Sequence, residues 1–240
     1  MPVETKKQDS RPVLLATHLS AGDAGEFVPI LERAGIAHQT LRLNKGDELP
    51  ANRSDVRGIV TFGGVQSAND DHLNYVAAEL RWLEAAISDG IPVFGICLGA
   101  QMVARVLGAE VRCHETGLYE FGWYPVEPTG GDEFQLGGPL TCYHRHGEVF
   151  DLPEGASLTA TRASCPIQGF TFRDNVIATQ FHPEVNQAVL SRWLDRPRPL
   201  PDEGHEEGVQ DIDCQLKAGP THIPAVHTWL EALVLKWLGH

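Results

Sequence analysis

Apolar residues fall along the first half of this chain in two alternating rhythms. Val13–Thr17, Gly58–Phe62 and Ile91–Ile96 are short, nearly continuous apolar runs, and His38–Leu43 is a further strand candidate that ends at the turn residues Asn44 and Gly46. Between them, Phe27–Ala34 and Leu73–Ser88 place apolar residues at helical spacing, the second through Leu73, Val76, Ala77, Leu80, Leu83 and Ile87. Asp89-Gly90 breaks that pattern before the next strand. Continuous apolar strands separated by amphipathic helices predict a parallel sheet covered on both faces.

The second half reads differently. Glu110–Cys113, Phe121–Glu127, Ser157–Thr161, Phe170–Phe172 and Val176–Gln180 are short strand candidates separated by turns, as in an antiparallel or mixed extension. Helical spacing returns at Val185–Trp193. Arg196–Pro201 then holds three prolines in six residues, which excludes a helix interior, and residues 202–213 carry six acidic side chains and no Lys or Arg. That run is expected to be a solvated, mobile linker, with a lid or docking segment as the other reading. Val226, Trp229, Leu230, Leu233, Val234, Trp237 and Leu238 line one face of a final helix, expected to pack on the chain's own sheet or, failing that, to form a homodimer contact. The fold class is therefore α/β, a doubly wound, mostly parallel sheet with a small antiparallel extension. The expected divisions are a flexible tail over 1–12, the main domain over 13–195, and a Pro-rich, acidic segment and helix over 196–240.

Charge narrows the function. With 19 basic and 32 acidic residues in 240, the net charge is −13. A nucleic-acid binder needs a basic face to replace phosphate counterions, and an anionic lipid surface needs the same. Neither partner is expected. Met1–Pro12 is polar with no apolar core, so it does not read as a signal peptide. No apolar stretch approaches the ~20 residues that span a bilayer. The five cysteines, at 97, 113, 142, 165 and 214, form no CxxC pair, which suits neither a disulfide framework nor a zinc site. The expectation is a cytoplasmic protein with reduced thiols, no metal and no cofactor.

One of those thiols stands in a special place. In Ile91-Pro-Val-Phe-Gly-Ile-Cys97-Leu-Gly-Ala-Gln101 an apolar strand runs into Gly95-x-Cys97-x-Gly99, and helical spacing starts at once through Met102, Val103, Val106 and Leu107. This is the strand–turn–helix arrangement of a nucleophile elbow with Cys in place of Ser. Glycines two residues either side are needed because side chains there would collide with the neighbouring strand and helix. The helix N-terminus just beyond favours a nucleophilic thiolate. Such a nucleophile needs a base, and the base an orienter. Of eleven histidines, His182 ends the apolar run Val176–Phe181 and is followed by Pro183 and Glu184. Sites in open α/β sheets form at the carboxyl ends of strands, so Cys97 and His182 are expected at one edge, with Glu184 reaching back to the imidazole.

Gly95-Ile-Cys97-Leu-Gly-Ala-Gln101 and Gln180-Phe-His182-Pro-Glu184-Val185 together resemble the class I (triad) glutamine amidotransferases. The closest pattern is the amidotransferase domain of GMP synthases, through the quieter segments Phe62-Gly-Gly64, Glu120-Phe-Gly122, His146-Gly147 and Ser164-Cys-Pro166. The resemblance runs in order from about residue 13 to 190. It implies a triad of Cys97, His182 and Glu184, an oxyanion hole from the backbone N–H groups of Gly64 and Leu98, and substrate contacts from Gln101, Arg145 and His146. It also implies a free-standing subunit that hydrolyses glutamine, or another γ-glutamyl compound, and passes ammonia to a synthetase partner. A γ-glutamyl hydrolase or peptidase with the same triad is the alternative, and a catalytically silent regulatory subunit the second. Arg145 stands where these relatives usually have Ser, which bears on recognition of the substrate's α-groups. Phe62-Gly-Gly-Val-Gln-Ser67 is also similar to the SGGxDS loop of ATP pyrophosphatases, but Phe62 and Gln66 replace its Ser and Asp, so the turn reads as an oxyanion loop.

Overall fold

The computed structural model describes residues 9–19, 23–130, 136–195 and 208–239. In chain order the elements are β1 (Val13–Thr17), α1 (Phe27–Arg33), β2 (His38–Arg42), β3 (Gly58–Thr61), α2 (Asn74–Ser88), β4 (Val93–Ile96), α3 (Leu98–Val106), β5 (Val111–Cys113), β6 (Glu120–Pro128), β7 (Leu140–His146), β8 (Glu148–Phe150), β9 (Ser157–Thr161), β10 (Gly169–Phe172), β11 (Val176–Thr179), α4 (Gln187–Asp195) and α5 (Ile212–Trp237). Nine strands form one sheet in the order β2-β1-β3-β4-β11-β10-β9-β6-β7, and β5 pairs with β8 in a small second sheet.

The first five strands of that order are parallel, and the remaining four continue the same sheet antiparallel. This is the expected doubly wound α/β class with an antiparallel extension. Its parallel strands are buried on both faces because successive residues enter different cores. Val13 and Leu15 of β1 pack with Phe27, Phe94, Trp229 and Leu233 on the α1/α5 side. Leu14 and Ala16 pack with Val76, Leu83, Met102 and Val103 on the α2/α3 side. The strand period of two thus feeds two helical layers at once.

The extension is larger than the sequence suggests. Leu140–Phe150, rich in His and Arg, forms β7 and β8, which no apolar run announced. The helix α5 also starts earlier than its apolar stripe, and Pro220 and Pro224 lie inside it. Each proline lacks the N–H of a helical bond and would ordinarily mark a break. The helix persists because both parts pack. Gly219 brings it close to α4, where an added Cβ would lie 3.1 Å from Leu190 Cδ2. Trp237 stacks edge-to-face on Phe94 at 5.8 Å, and Trp229 lies against Phe181. No helix among the described residues is long and apolar enough to cross a membrane.

The tail over residues 1–8, the Pro-rich run 196–201 and residues 202–207 of the acidic segment lie outside the described residues. The end of that segment is built into the fold and is not a free linker. Phe121 N–H donates to Gly208 O at 2.7 Å, and the Gln210 side chain bonds both the N–H and the C=O of Trp123. Asp211 then caps α5 by accepting from the N–H groups of Asp213 and Cys214.

Candidate active site

The register of two central strands decides where the chemistry can lie. β4 and β11 run parallel with Ile96 opposite Thr179, so the residues that follow each strand leave the sheet at the same edge. Cys97 N–H donates to Thr179 O at 2.8 Å, and His182 N–H to Tyr143 O at 2.8 Å. The long excursion through β5 to β10 thus returns to place a histidine beside a cysteine. This is the carboxyl edge of the parallel sheet, as the sequence predicted.

Cys97 is held by backbone shape. It has φ 52 and ψ −108, one of two described non-glycine residues at positive φ, and α3 starts at the next residue. A side chain in that region costs of order 1–3 kcal/mol and persists only where the surroundings impose it. Here they do. A Cβ on Gly99 would lie 2.0 Å from Thr61 O, and one on Gly95 would lie 2.7 Å from Gly99 O. Glycine at both offsets is therefore obligatory for the turn, for the steric reason that the spacing suggested.

His182 and Glu184 are held by charge. His182 Nδ1 lies 2.8 Å from Glu184 Oε1, and both side chains are almost completely buried. Burial alone would lower the pKa of the imidazole. The Glu184 carboxylate and contact with Cys97 overcome that and hold it at about 10. The ring packs edge-to-face on Trp193 at 5.0 Å. Gly25, at φ +52, lets the chain before α1 close over Glu184, whose carbonyl accepts from Glu26 N–H at 2.9 Å.

Gly63 and Gly64 turn past this group. A Cβ on Gly63 would lie 2.7 Å from His182 Cε1 and 3.5 Å from Cys97 Cβ, and one on Gly64 would lie 2.6 Å from Leu98 Cδ2. Gly64 thus packs against Leu98, the residue after Cys97, and these two are the predicted oxyanion donors. Gln101 lies one turn along α3, and its amide donates to Glu148 O at 3.1 Å. The carbonyl of Arg145 is 3.8 Å from Cys97 Sγ, while its guanidinium bonds Trp193 O and lies over the Phe121 ring. His146 is engaged inside the protein at both nitrogens, with Glu148 O at 3.1 Å and Glu120 Oε2 at 3.0 Å. Gln101 and His146 therefore both hold the start of β8 through Glu148 O.

Glu120 is the centre of a buried polar network that sequence reasoning did not assemble. Its carboxylate accepts from Arg162 Nε, Ser164 Oγ, Gln168 Nε2 and His146 Nε2 at 2.6–3.0 Å. Burial would raise its pKa, but the histidines beside it hold it well below the carboxylate range. Of the described residues, Glu120, His144 and His146 are the one group that could face an ion together. The carboxylate is already saturated by four donors, one of them a guanidinium, so this is a polar brace and not an open ligand set. The signal lay in the quieter motif segments, which contribute Glu120, His146 and Ser164. The other thiols lie away from this turn: burial pushes Cys165 up to about 12 and Cys142 up as well, while Cys113 and Cys214 are on the surface.

A cysteine on a strained strand–helix turn, with a buried histidine–carboxylate pair beside it at the carboxyl edge of a doubly wound sheet, defines a class of α/β proteins. The comparisons give the family. The sequence profile of Glutamine amidotransferase class-I matches residues 30–193, and the chain belongs to that family. It is 32% identical over 181 residues to the glutamine amidotransferase-like protein YfeJ of Salmonella typhimurium, covering 72% of this chain and 75% of that one. It is 35% identical over 151 residues to the glutamine-hydrolyzing GMP synthase of Bordetella parapertussis, covering 58% of this chain and 27% of that one. The match thus spans about a quarter of that synthase's length. The crystal structure of a glutamine amidotransferase from Thermotoga maritima superposes with a TM-score of 0.86 at 27% identity, covering 96% of this chain and 99% of that one.

Proposed function

We propose that the protein is a glutaminase subunit that hydrolyses the side-chain amide of glutamine and releases ammonia for a partner synthetase. The observation that carries this reading is the positive-φ Cys97 turn with the His182–Glu184 pair in contact with it. Cys97 Sγ attacks the amide carbon to form a C–S bond, and the oxyanion is met by the N–H groups of Gly64 and Leu98. His182 gives its proton to the leaving nitrogen, and ammonia departs from a γ-glutamyl thioester. Water then attacks that carbon, His182 takes a proton from it, and glutamate leaves with the thiol restored. Glu184 holds the imidazole in one orientation throughout.

The substrate lies between the Gly63-Gly64 turn and the β7–β8 junction on this reading. Arg145 forms part of its wall, and Gln101 and His146 fix the junction that bounds it. A synthetase partner is supported by the relatives named GMP synthase, in which the matched region is only part of a larger chain. The test is ammonia release from glutamine and a panel of γ-glutamyl amides and peptides, with the protein alone and with candidate synthetases. Release from glutamine that a synthetase accelerates supports the proposal. Preference for γ-glutamyl peptides, unaffected by any synthetase, would move the chain to a γ-glutamyl hydrolase.

A further inference from the structure

Two consecutive glycines leave a turn with more conformational freedom than any other dipeptide, so something outside them must fix it. Phe62, just before them, is tied on one side by its N–H, which donates to Ala16 O at 3.0 Å. On the other side its carbonyl lies 3.0 Å from His18 Nδ1. His18 follows directly after β1, and its other nitrogen is 2.6 Å from Glu79 Oε2 on α2. Glu79 Oε1 in turn accepts from Thr61 Oγ1 at 2.7 Å. His18 and Glu79 are essentially inaccessible, at 1% and 0% exposure, and the catalytic steps above use neither.

The donors and acceptors fix the protons. A carbonyl only accepts, so Nδ1 of His18 carries a proton toward Phe62 O. Nε2 then faces a carboxylate oxygen, and the 2.6 Å separation requires a second proton between them. A charged imidazolium on a carboxylate meets every partner present, since Glu79 also accepts from Thr61. The pair touches the oxyanion turn directly: a Cβ on Gly64 would lie 2.9 Å from His18 Cβ and 2.6 Å from Leu98 Cδ2. Gly64 is thus enclosed between His18 and the side chain of the second predicted oxyanion donor.

We propose that His18, held by Glu79, is a positioning residue that clamps the Phe62 carbonyl and thereby sets the Gly63-Gly64 turn with its N–H toward the oxyanion beside Cys97. This rests on the glutaminase reading above. The clamp is made entirely of the protein's own groups, so the turn need not reorganise as charge develops.

The variants His18→Leu, His18→Asn and Glu79→Gln test it by steady-state hydrolysis and by amide hydrogen exchange of residues 62–64. Leucine removes the donor, and kcat should fall about 10²–10³-fold, as for loss of one oxyanion donor, with KM changed only a few-fold. Asparagine can still donate to Phe62 O from the Nδ1 position and should recover at least about tenfold of that loss. Glu79→Gln keeps the shape and should fall between the two. In the leucine variant exchange at residues 62–64 should rise while α3 and β4 stay protected. A leucine variant within about threefold of the parent kcat, an asparagine variant no better than leucine, or unchanged exchange at the turn would overturn the clamp. A parent protein that releases no ammonia from any γ-glutamyl amide would instead sink the glutaminase reading. The exchange comparison then decides the clamp alone, and exchange raised across the whole molecule in both His18 variants would count against it.

Discussion

The two arms of the site are built by different physics. On the Cys97 arm, backbone does the positioning: a parallel strand, a turn at φ 52, and two glycines whose Cβ atoms would overlap Thr61 O and Gly99 O. On the arm formed by β6, β7 and the chain after β11, side chains do it, through Glu184 on His182 and Glu120 on Arg162, Ser164, Gln168 and His146. Strained backbone is insensitive to pH and intolerant of a single methyl group. Buried charge networks depend instead on protonation and on every partner being present.

The largest difference should appear in the chemistry itself. Cys97→Ala should lower turnover by at least ~10⁴-fold while thermal stability stays near that of the parent, because the strain lies in the backbone and not in the sulfur. His182→Ala should follow closely, and Glu184→Gln should cost less, since an orienter contributes less than the proton carrier. Steady-state ammonia release and covalent labelling by a glutamine-like electrophile measure all three. Labelling that survives in Cys97→Ala would remove the elbow from the account.

Next in size is the methyl group itself. Gly99→Ala places a Cβ 2.0 Å from Thr61 O, backbone that cannot yield without moving β3. The variant should lose roughly 3–5 kcal/mol, at the upper end of single-residue effects, or fail to fold. Denaturant unfolding reads this directly. A variant within ~1 kcal/mol of the parent would show that the α3–β3 approach is looser than its geometry.

The charged arm should break in a different way. Glu120→Ala would leave buried His146 and half-buried Arg162 without their carboxylate, at a cost of roughly 3–5 kcal/mol. Glu120→Gln should cost less, because the amide oxygen still accepts. The pH dependence has opposite signs at the two carboxylate–histidine sites. The folded pKa of Glu120 is depressed, so its contribution is present above its ordinary 4.5 and is lost as pH falls further. The folded pKa of His182 is raised, so its contribution is complete below 6.5 and is lost as pH rises through about 10. Urea unfolding from pH 3 to 10 should show loss at both ends, with the acid loss muted in Glu120→Gln and the alkaline loss muted in His182→Ala.

This contrast also explains what could be read from the sequence. The parallel half was legible because most of its strands are apolar runs and its turns are glycines, so Cys97 and His182 could be placed at one edge from the sequence alone. Leu140–Phe150 carries no apolar run that would mark a strand; His144 and His146 are buried there by partners that lie far away in the chain. The start of α5 was hidden by Pro220 and Pro224, whose local cost is overcome by packing on α4. Glu79 was masked by its apolar neighbours on α2. A carboxylate buried on a helix's core face needs a buried donor, and His18 after β1 supplies it.

The smallest expected effect concerns the remaining thiols. Cys113 and Cys214 are exposed, the first on β5 opposite Glu148 and the second in the first turn of α5. Replacing either by Ser should change stability by no more than ~0.5 kcal/mol and leave turnover intact. Cys142 and Cys165 are buried with thiols pushed upward in pKa, so they should resist alkylation until the protein unfolds. A mild alkylating reagent should therefore divide the five cysteines three ways: Cys97 modified with loss of activity, Cys113 and Cys214 modified without loss, and Cys142 and Cys165 spared. Peptide mapping against residual activity gives this directly. Protection of activity in the double variant Cys113→Ser/Cys214→Ser, with Cys97 present and unmodified in both proteins, would mean that an exposed thiol serves the chemistry and that the backbone-held arm does not contain the nucleophile.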